Sequence, residues 1–133
     1  MNTTPAIVEL KPFIPAHDFL LSLQFYRALG FDVVWQADAM ASLKAGAAVF
    51  LLQDFKAPGH AENTVMHLWV EDADVWWAHV QASGVLAFAG VRAEPPRDQP
   101  WGQRDFVLID PAGVLWRIGA PLAPSAASLP RPA

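Results

Sequence analysis

Residues 99–117 read QPWGQRDFVLIDPAGVLWR, and the reading of this stretch decides the fold. A turn (Gln99-Pro100-Trp101-Gly102) leads into a strand over residues 104–109. A second turn (Asp110-Pro111-Ala112-Gly113) leads into another strand. Proline pre-sets φ, aspartate bonds back to the turn backbone and glycine takes positive φ, so the spacing predicts a β-hairpin.

Upstream, the chain repeats itself. Asp18 opens the helical stretch DFLLSLQFYRALG, which closes at Gly30, and Asp72 opens DADVWWAHVQASG, which closes at Gly84. Aspartate is a strong helix N-cap, and glycine supplies the left-handed residue that ends a helix. Extended apolar stretches, residues 6–14 and 64–70, precede the two helices. Strand-like residues follow each one, near 31–37, 40–45 and 47–54 in the first half and near 85–93, 104–110 and 114–119 in the second. Each half therefore reads strand, helix, three strands. The two capping aspartates are 54 positions apart, whereas the hairpin glycines Gly46 and Gly113 are 67 apart. The extra residues are assigned to 92–103, a segment rich in proline and charge and read as a long loop.

The fold class expected is α+β: two βαβββ modules, about 6–55 and about 64–119, in a single domain over residues 1–120. Residues 121–133, rich in proline and alanine, are expected to be disordered. A βαβββ half covers one sheet face with its helix and leaves the other for a ligand or a partner. Either the two halves curl their mixed sheets around a shared cleft within one chain, or two chains pair half to half by swapping or edge contact.

Composition narrows the function. No apolar run approaches the ~18 residues of a membrane span, and no secretory signal is visible, so a cytoplasmic protein without membrane contact is expected. Cysteine is absent, which excludes disulfides and thiolate metal sites. Nine basic against 13 acidic side chains give a net charge of −4, with no basic face for nucleic acid. An acidic excess suits a cationic small molecule, with Glu94, Asp98 and Asp105 the acidic groups nearest the long loop. Six tryptophans in 133 residues point to an aromatic-lined cleft as much as to a core.

Paired βαβββ modules, the FYRALGF stretch (residues 25–31) and DPAGVLWRI (residues 110–118) resemble the vicinal-oxygen-chelate superfamily of glyoxalases, extradiol dioxygenases and bleomycin-resistance proteins. QPWGQRDFVLIDPAG and HLWVEDAD (residues 67–74) are most similar to the bleomycin-resistance branch. The resemblance covers roughly residues 6–119. In metal-dependent members, His and Glu from the first and last strand of each module hold an ion. Counting from the capping aspartates and the hairpin glycines, those positions fall on Lys11, Val65, Phe50 and Arg117. None of these four supplies the lone pairs a divalent cation needs. Shifted by two residues, Glu9 and His67 become the nearest candidates. No metal or other cofactor is expected.

The resemblance therefore implies a metal-free small-molecule binder, an antibiotic-resistance protein that sequesters a planar cationic drug in an aromatic groove, as a homodimer. The expected ligand-binding residues are Phe13, Phe50, His67, Trp69, Trp101 and Arg117. His67 and Trp69 alternate with Val65 on one strand face, so all three are expected to line the cleft. Trp116, opposite in alternation to Arg117, belongs to the core. Trp76 and Trp77, adjacent on a helix, are read as core or interface. His17, His60 and His79 are read as solvated or helical residues without a role. Two rival readings remain. One is a metal-dependent lyase, isomerase or dioxygenase of the same superfamily, built on His67 and Glu9. The other is a regulatory or structural partner with no small ligand.

Overall fold

The computed structural model describes residues 3–122 of the chain. Asp18 accepts from the Leu21 N–H at 3.1 Å and starts helix α1 (Phe19–Leu29). Asp72 accepts from the Asp74 and Val75 N–H groups and starts α2 (Ala73–Ser83). Each carboxylate thus satisfies donors that a first helical turn leaves free. Gly30 and Gly84 close the helices at φ of 122° and 84°, a region that disfavours any residue with a Cβ.

Eight strands complete the fold: β1 (Phe13–Ala16), β2 (Asp32–Gln36), β3 (Met40–Ala45), β4 (Ala48–Asp54), β5 (Val65–Trp69), β6 (Arg92–Asp98), β7 (Gln103–Ile109) and β8 (Leu115–Pro121). They form two four-stranded sheets with the same plan, β1-β4-β3-β2 and β5-β8-β7-β6. The β1/β4 and β5/β8 pairs are parallel and the others antiparallel. This is the α+β pair of βαβββ modules. Among the described residues the two sheets stay separate and open, and no strand ladder joins them into one curled sheet.

Strand alternation sends one face of each sheet inward, and both inner faces share a single core. From the first module come Ile14, Leu43, Phe50 and Leu52; from the second, Phe106, Leu108, Trp116 and Ile118. Tyr26 of α1 sits at the junction. Its ring meets Phe25 and Phe50 edge-on, and Phe50 meets Trp116 at 5.7 Å. The Tyr26 hydroxyl donates to Asp110 Oδ2 at 2.6 Å and accepts from Trp116 Nε1 at 2.9 Å. Asp110 Oδ1 accepts from the backbone N–H groups of Ala112, Gly113 and Val114, which holds the turn between β7 and β8. One buried carboxylate therefore shapes the second hairpin and ties it to the first module's helix. Burial drives its pKa up, against the four hydrogen bonds that favour its charge. Burial, then the neighbouring Asp110 charge, raises the Tyr26 hydroxyl well above its ordinary value.

Three local expectations change. Residues 85–93 are not a strand: Val85–Ala87 is a short 3-10 turn, with Val85 fully buried. The second strand of the second half lies instead at Arg92–Asp98, inside the segment read as a loop. Its two prolines are tolerated because β6 is a sheet edge, and Pro95 and Pro96 fall where its register with β7 shifts. The 13 extra residues are spread out rather than looped: the approach to β6 is longer than that to β2, and so is the last hairpin turn. The first strand is shorter than expected. Only Phe13–Ala16 is ladder-paired, and residues 3–12 run out as an arm with no assigned secondary structure. Of the tail expected to be disordered from residue 121, Pro121 instead ends β8 opposite Gln103, and the rest, from residue 123 on, lies outside the described residues. Among the described residues no helix is long and apolar enough to cross a membrane.

Candidate functional site

Because both inner faces are spent on the core, each sheet keeps an open outer face. Across the first sheet, one row runs Phe13, Leu51, Ser42, Trp35 from β1 to β2. Phe13 and Trp35 stand at its two ends, 52% and 53% exposed. Ser42 lies between them, almost fully buried, and its hydroxyl has no hydrogen-bond partner. Four strands at about 4.8 Å spacing separate the two aromatic walls by roughly 14 Å, wide enough for a fused ring system to lie between them.

On the second sheet, Cα partners across the strands place His67 beside Arg117 and Arg117 beside Val107. The next row sets Trp69 beside Gly119 and Gly119 beside Asp105. His67 and Trp69 stack at 5.8 Å with 29° between their planes. Arg117 is fixed from below. Its Nε donates to Asp105 Oδ2 at 3.0 Å, and Nη2 approaches Oδ1 at 3.5 Å. Gln99 and Gln103 donate to the same carboxylate. Asp105 is only 1% exposed. Gly119 makes this possible, since a Cβ there would stand 3.0 Å from the Asp105 Cβ and 3.2 Å from the Gln103 amide nitrogen. Burial alone would raise the Asp105 carboxyl, but the hydrogen bonds from Arg117 and Gln99, the Arg117 charge and Gln103 together hold it below its ordinary value. The result is a guanidinium with one edge anchored in a buried network and 38% of the side chain left open to solvent. Glu94, Arg97, Gln99 and Arg117 line a recess of about 260 Å³ on this face.

The six residues expected to bind ligand do not converge within one chain. His67, Trp69 and Arg117 share the open face of the second sheet, and Phe13 lies on that of the first. Trp101 occupies the turn between β6 and β7, 58% exposed. Phe50 is a correction: it is 1% exposed, and its partner across the ladder is the core residue Leu43. The cause is register. The β3–β4 turn has two residues and the β7–β8 turn has five, so counting from the hairpin glycine slips by one position and reverses the face. The true counterpart of Arg117 is Leu51, which pairs with Phe13 as Arg117 pairs with His67.

The acidic groups also differ from expectation. Asp98 is ion-paired with Arg104, and Asp105 with Arg117, so neither offers free charge to a cation. The residues present do not fit a divalent metal either. Glu9 pairs with Lys11 at 3.2 Å ahead of β1, Val65 and Arg117 have no suitable lone pair, and no group of three or more His, Asp or Glu comes together among the described residues. Sequence reasoning missed Trp35, Ser42, Gln99 and Gln103. Trp35 was legible only as a strand residue, because its place opposite Ser42 depends on a register that shifts between Val33 and Trp35; a buried carboxylate network leaves no mark in a hydrophobic pattern.

Comparison with known proteins agrees with this geometry. Residues 10–118 match the family model described as the Glyoxalase/Bleomycin resistance protein/Dioxygenase superfamily. A bleomycin resistance protein of Klebsiella pneumoniae is 27% identical over 115 residues, spanning 83% of this chain and 90% of that one. The crystal structure of a bleomycin resistance determinant encoded on the transposon Tn5 superposes with a TM-score of 0.76 at 22% identity, covering 88% of this chain and all of the other. A bleomycin-binding protein complexed with bleomycin gives 0.72 at 24% identity, covering 86% and 98%. At these identities the structural matches establish the fold.

Proposed function

The chain belongs to the Glyoxalase/Bleomycin resistance protein/Dioxygenase superfamily, and from that premise we propose that it is a metal-free small-molecule binding protein that sequesters a planar cationic drug. The observation that carries this reading is the pair of open sheet faces. Each presents half-exposed aromatic side chains that the fold does not need for its own core. Phe13 and Trp35 wall one face. His67 and Trp69 stack on the other, beside a guanidinium held in position. Stacking on such surfaces buries a flat ligand without covalent chemistry. The relatives named above are called bleomycin resistance or bleomycin-binding proteins, which supports a ligand of that class.

The working unit in this reading is a homodimer, in which the open face of one copy's first sheet meets that of the other copy's second sheet. Two identical grooves result, each with Phe13 from one copy and His67, Trp69 and Arg117 from the other, and Trp101 at a rim. The arm supports this arrangement. Ile7, Val8 and Leu10 project into solvent, Val8 at 99% exposure, from an extended segment contiguous with an edge strand. Such a segment is stabilised by a second copy.

The test is a titration with bleomycin, followed by tryptophan fluorescence and by sedimentation. A saturable quench at micromolar ligand, by a dimer, is expected. No response at that concentration removes the drug-binding reading. Elemental analysis of the same preparation reads the rival: stoichiometric Zn, Mn, Ni or Fe would restore metal-dependent catalysis as the leading function.

A further inference from the structure

A second recess opens at the end of the second sheet, around the corner from its open face. It has a volume of about 710 Å³, is open to solvent on one side and is lined by Trp69, Val70, Glu71, Asp72, Val75, Trp76 and Pro121. That volume is in the range of small-molecule sites. Two features of the lining are specific. Two indoles, one from β5 and one from α2, contribute aromatic surface. Two carboxylates, Glu71 and Asp72, stand beside them, and the lining contains no basic side chain. The positive end of α2 does not reverse this balance, because Asp72 Oδ1 already engages the Asp74 and Val75 N–H groups. Asp74 is held by Arg104 outside the lining. His67, which stacks on Trp69, does not border the recess.

We infer that the Trp69–Trp76 recess is a binding site for a small organic cation, a quaternary or alkylated ammonium group. Indole faces attract such a cation through the ring quadrupole, and an alkylated ammonium loses less hydration on entering an apolar recess than a primary amine does. Glu71 and Asp72 supply the net charge that an aromatic pair lacks. An anion finds two carboxylates and no cationic side chain in the lining. The site shares Trp69 with the groove of the previous section, but it lies within one chain and needs no second copy.

The probe is benzyltrimethylammonium, with benzenesulfonate as the oppositely charged aromatic control. Indole N–H signals of the six tryptophans are followed by nuclear magnetic resonance, and Trp69→Phe assigns one of them by its disappearance. Benzyltrimethylammonium is expected to move the Trp69 and Trp76 signals along a saturable curve that weakens as salt is added. Benzenesulfonate is expected to leave them unmoved. The double variant Glu71→Gln/Asp72→Asn keeps the helix cap, since asparagine caps as well as aspartate, and is expected to bind the cation about five-fold more weakly. Equal affinity in the double variant, an equal response to benzenesulfonate, or movement confined to other tryptophans overturns the assignment. The probe is too small to require the groove, so failure here and failure of the bleomycin titration are separate results.

Discussion

Replacing Asp105 by asparagine tests the network that aims Arg117. The carboxylate accepts from Arg117 at 3.0 Å, Gln99 at 2.9 Å and Gln103 at 3.1 Å, from a position 1% exposed. Asparagine keeps one acceptor oxygen and turns an NH₂ group toward donors. With its oxygen at the Oδ2 position asparagine keeps the bonds from Arg117 and Gln103, but it opposes the Gln99 donor and removes the charge that faces Arg117, in a place water does not reach. Hydrogen bonds to a charged group contribute about 1.5–3 kcal/mol each, and relaxation of the half-exposed Arg117 recovers part of that. The expected loss near pH 7 is about 2–4 kcal/mol, read from urea unfolding. The pH dependence carries the sharper test. Because the Asp105 carboxyl is held below its ordinary value of 3.8, the stability it contributes is present above that value and is lost as pH falls through its native pKa. The gap between the native chain and the variant should therefore narrow on acidification to about pH 3. A gap below about 1 kcal/mol at neutral pH, or one that does not change on acidification, would refute the network as described.

Other expectations concern the junction between the modules and the turns. Tyr26→Phe removes one donor to Asp110 and the acceptor for Trp116, and should cost about 2–4 kcal/mol in urea unfolding while leaving the near-ultraviolet signature of a folded core. Asp110→Asn should behave oppositely to Asp105→Asn with pH. The Asp110 pKa is raised by burial, so its contribution is fullest below 3.8 and declines as pH rises through the native value. Relative to the variant, the native chain should gain stability on acidification. Gly90→Ala forces a Cβ to 3.1 Å from the Pro111 carbonyl oxygen at a φ of 81°. It should lower stability by about 1–3 kcal/mol, seen as a fall in Tm.

Much of the architecture was legible because its signals are local. Asp18 with Gly30 and Asp72 with Gly84 mark the start and stop of each helix by backbone chemistry alone, and both helices begin and end there. The Asp110-Pro111-Ala112-Gly113 turn was legible for the same reason. Register was not. The face on which Phe50 lies depends on the lengths of two turns that differ, and a single-residue slip exchanges core for surface. The position of β6 was hidden by Pro95 and Pro96, which argue against a strand unless one knows that it forms an edge. The common face of His67, Trp69 and Arg117 was legible because strand alternation and family spacing agree on it. Gln99, Gln103 and Asp105 are close in sequence, but their convergence on one buried carboxylate with Arg117 depends on the turn before β7 and on the pairing of β7 with β8, which no hydrophobic pattern marks.

Because the Tyr26–Asp110–Trp116 junction holds the fold together from the side away from the open faces, substitutions at Phe13, Trp35, Val65 or His67 remove little from the interior. A library randomised at those positions should lose few members to misfolding. Ligand preference can then drift over generations while the scaffold stays intact, a separation of tasks that makes this chain a practical starting point for raising new drug-capturing proteins.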